Sequence, residues 1–383
     1  METGHDVKIS IKTLRLNSHS EHRYSRYNTF IMKIRLGQPH FDVIVGNPPY
    51  QKNVSGSTDE RKLRNASKSL PIYHEYVNFF EDTSAEIVIV SPARWIAGGW
   101  GLDEFRQKML SSKRIRTLVL YARSYQVFPN TSINGGVSII HVTGDEVSVP
   151  RIVNFDSNGV LVEDGHRRLL EPGADFLVRD PRSLSILQKI GCFQLRSDEQ
   201  FSSMIHGAIS GFNSNFTGFT ETKKEPDDLK LVLIKWKEKW VSKEKSKDTE
   251  TAGYRVLFQL SHGEGDPSAV SRARLYKPGV TYTHSHLGTI ALPSEKAGRS
   301  VLSYVNSRFF RFLCFQLKIT IVATPKVYRL IPIQAWDRIW TDDELYKKYG
   351  FTEDEIRHIE NTVTAPRNVY DTTAEDFLLA WTD

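Results

Sequence analysis

Phe41-Asp42-Val43-Ile44-Val45-Gly46-Asn47-Pro48-Pro49-Tyr50 is the stretch around which the rest of the chain is organised. It begins as a short apolar run of the kind that forms a buried strand, then halts at a glycine, a polar amide and two prolines. The prolines fix φ and remove two backbone donors, so the loop offers carbonyl oxygens to whatever lies against it, with the Asn47 side chain as a further acceptor. A cluster of acceptors suits an NH2 group. Tyr50 adds an aromatic face that can stack on a planar ring carrying such an amine. A proline turn closing a core strand is the plainer alternative for the same residues.

Working outward, residues 8–12 and 30–35 read as short strands in a polar, basic segment. A polar loop over 51–68 is long for a compact domain, suited either to closing over a ligand or to a solvated surface. A helix is expected over 72–82, with Ile72, Tyr76, Phe79 and Phe80 on one face. Residues 86–92 form the next buried strand, 102–110 a second helix, and 115–121 and 137–142 further strands. This alternation is that of a doubly wound α/β sheet. Arg94, just past the end of a strand, stands where open α/β sheets build their sites, although a surface salt bridge is an equally ordinary role for it.

With the strand before it and Tyr50 after it, Asn47-Pro48-Pro49-Tyr50 resembles the signature of the amino-group DNA methyltransferases, specifically the adenine-specific (N6) restriction-modification methylases of type II/IIG-like organisation. The resemblance continues through Ile-Val-Ser-Pro-Ala-Arg-Trp at 89–95 and Val-Phe-Pro-Asn-Thr-Ser-Ile-Asn-Gly-Gly-Val at 127–137. It implies a methyl donor, S-adenosylmethionine, and a flipped adenine whose two N–H bonds are accepted by the Asn47 side chain and the Pro48 carbonyl, with Pro49 rigidifying the loop and Tyr50 stacking on the base. Those contacts favour a pyramidal, nucleophilic nitrogen. The resemblance further implies cofactor contacts from Phe41 and Asp42, and a base pocket lined by Phe128 and Arg94; for Phe128, packing between strands is the competing role. Adenine-N6 is preferred over cytosine-N4 because Asn-Pro-Pro-Tyr is the usual adenine form.

One departure from the family stands out. The Gly-rich cofactor loop and the acidic residue that follow the first two sheet strands belong upstream of Asn47, yet only forty residues precede the strand, and one βαβ unit needs about thirty. Glycine clusters at 98–101 and 263–265 lack a strand-to-helix setting and read as loops. The expectation is therefore a partial class I (Rossmann-like) methyltransferase sheet: a fragment, half of an enzyme whose cofactor portion is a second polypeptide, or a chain that no longer catalyses.

Composition restricts the alternatives. Aromatic residues at 11% and charged residues at 25% describe a folded globular chain. A net charge of +6 and a pI near 9.0 suit a polyanionic partner such as double-stranded DNA without requiring one. Cys192 and Cys314 lie in apolar surroundings and read as buried free thiols, in keeping with a reducing cytoplasm. Neither follows a proline, as the covalent nucleophile of cytosine-C5 methylation would. No membrane span is expected, and His284 with His286 makes no metal set.

The expected layout places the catalytic half at 1–150, a connector at 151–195 with a helix near 181–190, a mixed α+β target-recognition domain at 196–335 and a C-terminal helical segment at 336–383. Lys235-Trp-Lys-Glu-Lys-Trp240 interleaves cations with tryptophan; Lys235 and Lys237 suit phosphate contacts, against the alternative of a solvated face. Asn306-Ser-Arg-Phe309 and the Lys/Thr-rich return through Lys318, Thr320 and Lys326 resemble the family's recognition region, where phosphate contacts position and base contacts specify. Thr341 and Thr352 each precede a glutamate by three residues and cap two helices joined at Gly350, a hairpin whose wording recurs at the end of many such methylases. The alternatives to a site-specific methyltransferase, inactive as an isolated chain or paired with a cofactor-binding chain and a cognate restriction endonuclease, are a non-catalytic DNA-binding remnant and an enzyme acting on a protein glutamine amide. The long recognition region argues against the last.

Overall fold

The computed structural model describes residues 41–52, 70–81, 84–98, 101–207, 209–261, 269–318 and 322–364. The strands expected at 8–12 and 30–35 and most of the 51–68 loop fall outside them. The apolar run of the opening stretch is strand β1 (Phe41–Gly46), ended by prolines that cannot donate to a ladder. β2 (Gln51–Lys52) pairs antiparallel with β3 (Leu70–Pro71) and leads into α1 (Tyr73–Glu81). The helix buries Tyr73 and Val77, one turn apart, whereas Ile72 and Tyr76 are half-buried. The expected face is thus corrected: the i, i+4 pair Tyr73/Val77 is the one aimed at the sheet. The side chains of Phe79 and Phe80 lie outside the described residues.

β4 (Ser84–Pro92), α2 (Asp103–Ser111), β5 (Ile115–Tyr121) and β6 (Val137–Thr143) follow where the sequence placed them. The connector expected from residue 151 instead begins with two more strands, β7 (Arg151–Phe155) and β8 (Leu161–His166). They complete a six-stranded sheet in the order β1-β4-β6-β5-β7-β8. β1–β4 and β5–β7 are parallel; β6 runs antiparallel to both of its neighbours, and β8 runs antiparallel to β7.

One face of this sheet carries the core. Ile87, Ile89, Leu118, Leu120, Ile140 and Ile152 are buried there with Tyr73, Trp95, Phe105 and Met109. On the other face Val43 and Val45 stand 56% and 75% exposed, and Val88, Val90, Val119 and Ile139 are only half-buried. Among the described residues the sheet is therefore not doubly wound. β1 pairs with β4 alone, which leaves its outer edge open among those residues.

The segment after the sheet contains α3 (Leu184–Ile190), β9 (Ile205–His206), β10 (Leu229–Leu233), β11 (Lys237–Val241), β12 (Arg255–Gln259), β13 (Arg274–Tyr276), β14 (Val280–Tyr282) and β15 (His286–Thr289). These strands form a three-stranded sheet, β11-β10-β14, and a four-stranded sheet, β13-β12-β15-β9. Arg255, fully buried, is held by Asp248 through bonds of 2.5 and 2.8 Å, and Thr281 donates to the same carboxylate at 3.0 Å. α4 (Glu295–Asn306) and α5 (Arg308–Leu317) pack into the main core, and α6 (Asp342–Tyr349) and α7 (Glu353–Thr362) form the terminal helix pair. Thr341 and Thr352 cap those last two helices, with Glu344 and Glu355 reaching back, and Gly350 turns between them at φ 64°. Cys192 and Cys314 are buried free thiols.

Candidate active site

The sheet register decides which loops meet. Gly46 lies opposite Ile89 on the parallel pair β1–β4, and Val137, the first residue of β6, lies opposite both Pro92 and Tyr121. The segments that leave β1, β4 and β5 and the segment that enters β6 therefore share one rim. This is the carboxyl end of the parallel strands, where open α/β sheets bind ligands. Asn47–Tyr50, the 3-10 turn Ala93–Ile96 and residues 122–136 line it.

Along that rim Asn47 and Pro49 are exposed, Pro48 is buried and Tyr50 is half-buried against the core. The Ile72 amide donates to the Tyr50 carbonyl at 3.2 Å, which ties the loop to the start of α1. Burial pushes the Tyr50 phenol up, and the neighbouring Asn47 side chain pulls it the other way. The ring is accordingly a neutral stacking surface at physiological pH. Its hydroxyl oxygen is shielded from water without a completed hydrogen bond.

Arg94 and Trp95 divide their work. Trp95 is fully buried, edge-on to Phe105 at 5.6 Å, and its indole N–H donates at 3.1 Å to the Ser138 hydroxyl, which also meets Ser91 at 3.0 Å. This anchors the turn and leaves Arg94 half-buried at the rim. The Arg94 guanidinium lies beside the Tyr73 hydroxyl; burial raises the Tyr73 pKa and the Arg94 charge opposes it. Arg94 Nε is shut off from water and has no hydrogen-bond partner.

The 127–137 segment is folded on Ser124. The Ser124 hydroxyl donates to the Thr131 carbonyl at 2.6 Å and accepts from the Ile133 amide at 2.9 Å, and the Phe128 amide donates to the Ser124 carbonyl at 2.7 Å. Gly136, at φ 80°, accepts from the Ala93 amide at 2.9 Å and so ties this segment to the Arg94 turn. Phe128 is half-buried and joins none of the hydrophobic clusters among the described residues.

Asn47, Pro48, Pro49, Tyr50, Arg94 and Phe128 thus share the rim, and Asp42 does not. It lies five residues back on β1, exposed and about 16 Å away at 3.3 Å per residue. Phe41 begins the same strand, and its side chain lies outside the described residues. Tyr73, Trp95 with Ser138, and Arg179 belong to this end of the sheet and were not singled out from sequence; only the Arg-Trp pair after a strand end gave any signal.

The expected DNA contacts fare unevenly. Lys235 and Lys237 are exposed at the turn between β10 and β11, where Lys235 and Trp236 take positive φ angles of 58° and 62°. Trp236 is held between the Arg274 guanidinium, 4.6 Å from its ring centre, and His286 at 4.7 Å. Glu238 pairs with Lys230 at 2.8 Å, and Lys239 pairs with Glu221, so the basic run is only partly free. Lys326 is exposed and reaches Asp103 at 3.4 Å. Lys318 is corrected: it is 7% exposed, capping the end of α5 inside the core, and offers no surface contact. Thr320 lies outside the described residues. No group of three metal-ligating side chains, and no helix long and apolar enough to cross a membrane, occurs among the described residues.

Residues 5–128 match the family model described as Eco57I restriction-modification methylase. The chain is 30% identical over 135 residues to an uncharacterized adenine-specific methylase of Mycoplasma pneumoniae, a match covering 34% of this chain and 29% of that protein. Among solved structures it resembles the type IIL restriction-modification enzyme MmeI in complex with DNA, at 12% identity and a TM-score of 0.42 over 78% of this chain and 46% of that one. It also resembles the type IIG restriction endonuclease BpuSI, at 12% identity and a TM-score of 0.31 over 83% and 48%. The chain spans under a third of the length of the curated relative and about half that of these two enzymes.

Proposed function

We propose that this chain, which matches the restriction-modification methylase family model over residues 5–128, is the base-binding and DNA-reading portion of a site-specific adenine-N6 DNA methyltransferase. The place of Asn47-Pro48-Pro49-Tyr50 at the carboxyl end of β1 carries this reading. An adenine turned out of the duplex presents its amine to the Asn47 side-chain oxygen and the Pro48 carbonyl, and those acceptors hold both of its protons. The nitrogen lone pair is then withdrawn from ring conjugation and free to attack. Tyr50 stacks on the base, Phe128 closes a second side, and Arg94 lines the pocket mouth. Lys235, Lys237 and Lys326 take backbone phosphates, and Thr320 belongs with them by sequence.

S-adenosylmethionine, when bound, supplies the electrophilic methyl group. We assign its binding, beyond whatever Phe41 and Asp42 contribute, to a second polypeptide seated on the edge of β1 that is open among the described residues, where Val43 and Val45 are exposed. An unpaired strand edge beside an uncovered apolar face is the kind of surface that pairs with further structure. A cognate restriction endonuclease is a further partner, and the cytoplasm is the compartment.

A second reading is a DNA-binding remnant without catalysis. Calorimetric titration of the chain with S-adenosylmethionine, alone and with the product of the neighbouring upstream reading frame, separates the two. Binding only in the presence of the neighbour supports the split enzyme; binding by the chain alone overturns the need for a partner; binding in neither supports the remnant.

A further inference from the structure

Arg179 is a cation without an acid. It lies in the segment that follows β8, and its Nη2 donates to the Gly135 carbonyl at 3.2 Å. Its Nε is shut off from water and has no partner, although the residue keeps a partly exposed edge. The adjacent carboxylate, Asp180, is already taken by Arg182 through contacts of 3.0 and 2.6 Å. Burial pulls the Arg179 pKa down to about 10, with no acid to offset it. A guanidinium has five donors, and holding one away from water with a single carbonyl partner is costly unless another acceptor arrives.

The backbone around Arg179 is fixed. Asn154 donates to the Arg179 carbonyl at 2.7 Å, and the Leu177 amide donates to the Ile96 carbonyl at 2.8 Å. Arg94, two residues before Ile96, is the other guanidinium here with a buried Nε lacking a partner. The Ala93 amide meets the Gly136 carbonyl and the Arg179 side chain meets the Gly135 carbonyl, so the backbone that carries Arg94 and the guanidinium of Arg179 are held at one Gly-Gly turn. That turn enters β6, two strand spacings or about 10 Å from β1 and its Asn47 loop.

We propose that Arg94 and Arg179 form a two-arginine clamp for a backbone phosphodiester of the nucleic acid, next to the nucleotide held at Asn47–Tyr50. This rests on the DNA-methyltransferase reading. Planar guanidinium forks match phosphate oxygens in a way that a point charge does not. A phosphodiester fits better than the carboxylate of the methyl donor, because the clamp lies across β4 and β6, away from the open edge of β1.

The test is fluorescence anisotropy of the full chain with labelled duplex and single-stranded DNA of mixed sequence over a series of salt concentrations. Arg179→Met is expected to weaken binding about tenfold and to lower the slope of log K against log salt by about one. Arg179→Lys keeps the charge and the fold; it is expected to preserve the slope while still losing several-fold in affinity, and serves as the deciding variant if the methionine form does not fold. Unchanged affinity and slope in the folded variants, with Lys235→Ala and Lys237→Ala still lowering the slope, overturns the clamp and leaves DNA binding intact. Absence of DNA binding by the parent chain overturns the underlying reading and the clamp with it.

Discussion

Replacing Gly136 with alanine is expected to damage the rim far more than the same change at another left-handed glycine. Gly136 has φ 80°, and a Cβ there would stand 2.1 Å from the Tyr121 carbonyl oxygen and 2.8 Å from that of Ala122. Both are backbone atoms at the end of β5, so relief requires the turn or the strand to move. Gly159 has nearly the same φ, 81°, but its nearest neighbour would be the Gln126 side chain at 3.4 Å. The left-handed conformation alone costs an L-residue about 1–2 kcal/mol, and Gly159→Ala should lose no more than that. Gly136→Ala adds the clash, for a loss of about 3 kcal/mol or more, or a displaced turn that breaks the Ala93–Gly136 bond and moves the Arg94 segment. Urea unfolding of the full chain measures the first, and DNA affinity the second. Equal stability and equal DNA binding in the two variants would refute this account of how 127–137 is tied to the sheet.

Three further outcomes follow from the packing. Asp248→Ala leaves the buried Arg255 with only Glu250, 3.6 Å away, and should cost about 3 kcal/mol by denaturant unfolding, with the Asp248→Leu/Arg255→Met double variant markedly less affected. His286 is buried, bonded to Ser285 through Nδ1 and close to the Arg274 charge; burial first and that charge second hold its pKa down to about 4. The unfolded chain then takes up a proton near pH 6.5 that the fold refuses, so stability is full above that pH and falls between 6.5 and 4, by about 3 kcal/mol; His286→Gln should flatten that part of the stability–pH curve. Thr352→Ala removes an N-cap whose hydroxyl accepts from the Glu355 amide and should cost about 1 kcal/mol, read as a lowered melting temperature of the full chain.

Much of the fold was legible where its signals are local. The glycine and prolines that end β1 punctuate the chain wherever it folds, and the Thr-x-x-Glu boxes at 341 and 352 specify helix starts without reference to anything distant. The features that escaped depend on partners far away in sequence. Val43 and Val45 sit in an apolar run that reads as fully buried, and nothing local reveals that one of its faces goes uncovered among the described residues. β7 and β8 read as a connector because β7 enters the sheet only by pairing with the distant β5, and β8 adds to the far side of β7. Lys318 reads as a surface cation until α5 carries it into the core, and Arg179 is unremarkable beside Asp180 until Arg182 claims that carboxylate. The shared rim of Asn47, Arg94 and Phe128 is likewise a product of strand order, which periodicity does not encode.

The central claim is that the Asn47–Tyr50 corner holds an adenine amine for methylation. The most direct measurement is transfer of a labelled methyl group from S-adenosylmethionine to duplex DNA by the chain together with the upstream polypeptide, with the modified nucleoside identified by mass spectrometry. N6-methyladenine from the parent, falling by at least two orders of magnitude in Asn47→Ala while DNA affinity is retained, is the predicted result. N6-methyladenine formed equally well by Asn47→Ala, or a methyl group found on another acceptor, would contradict it.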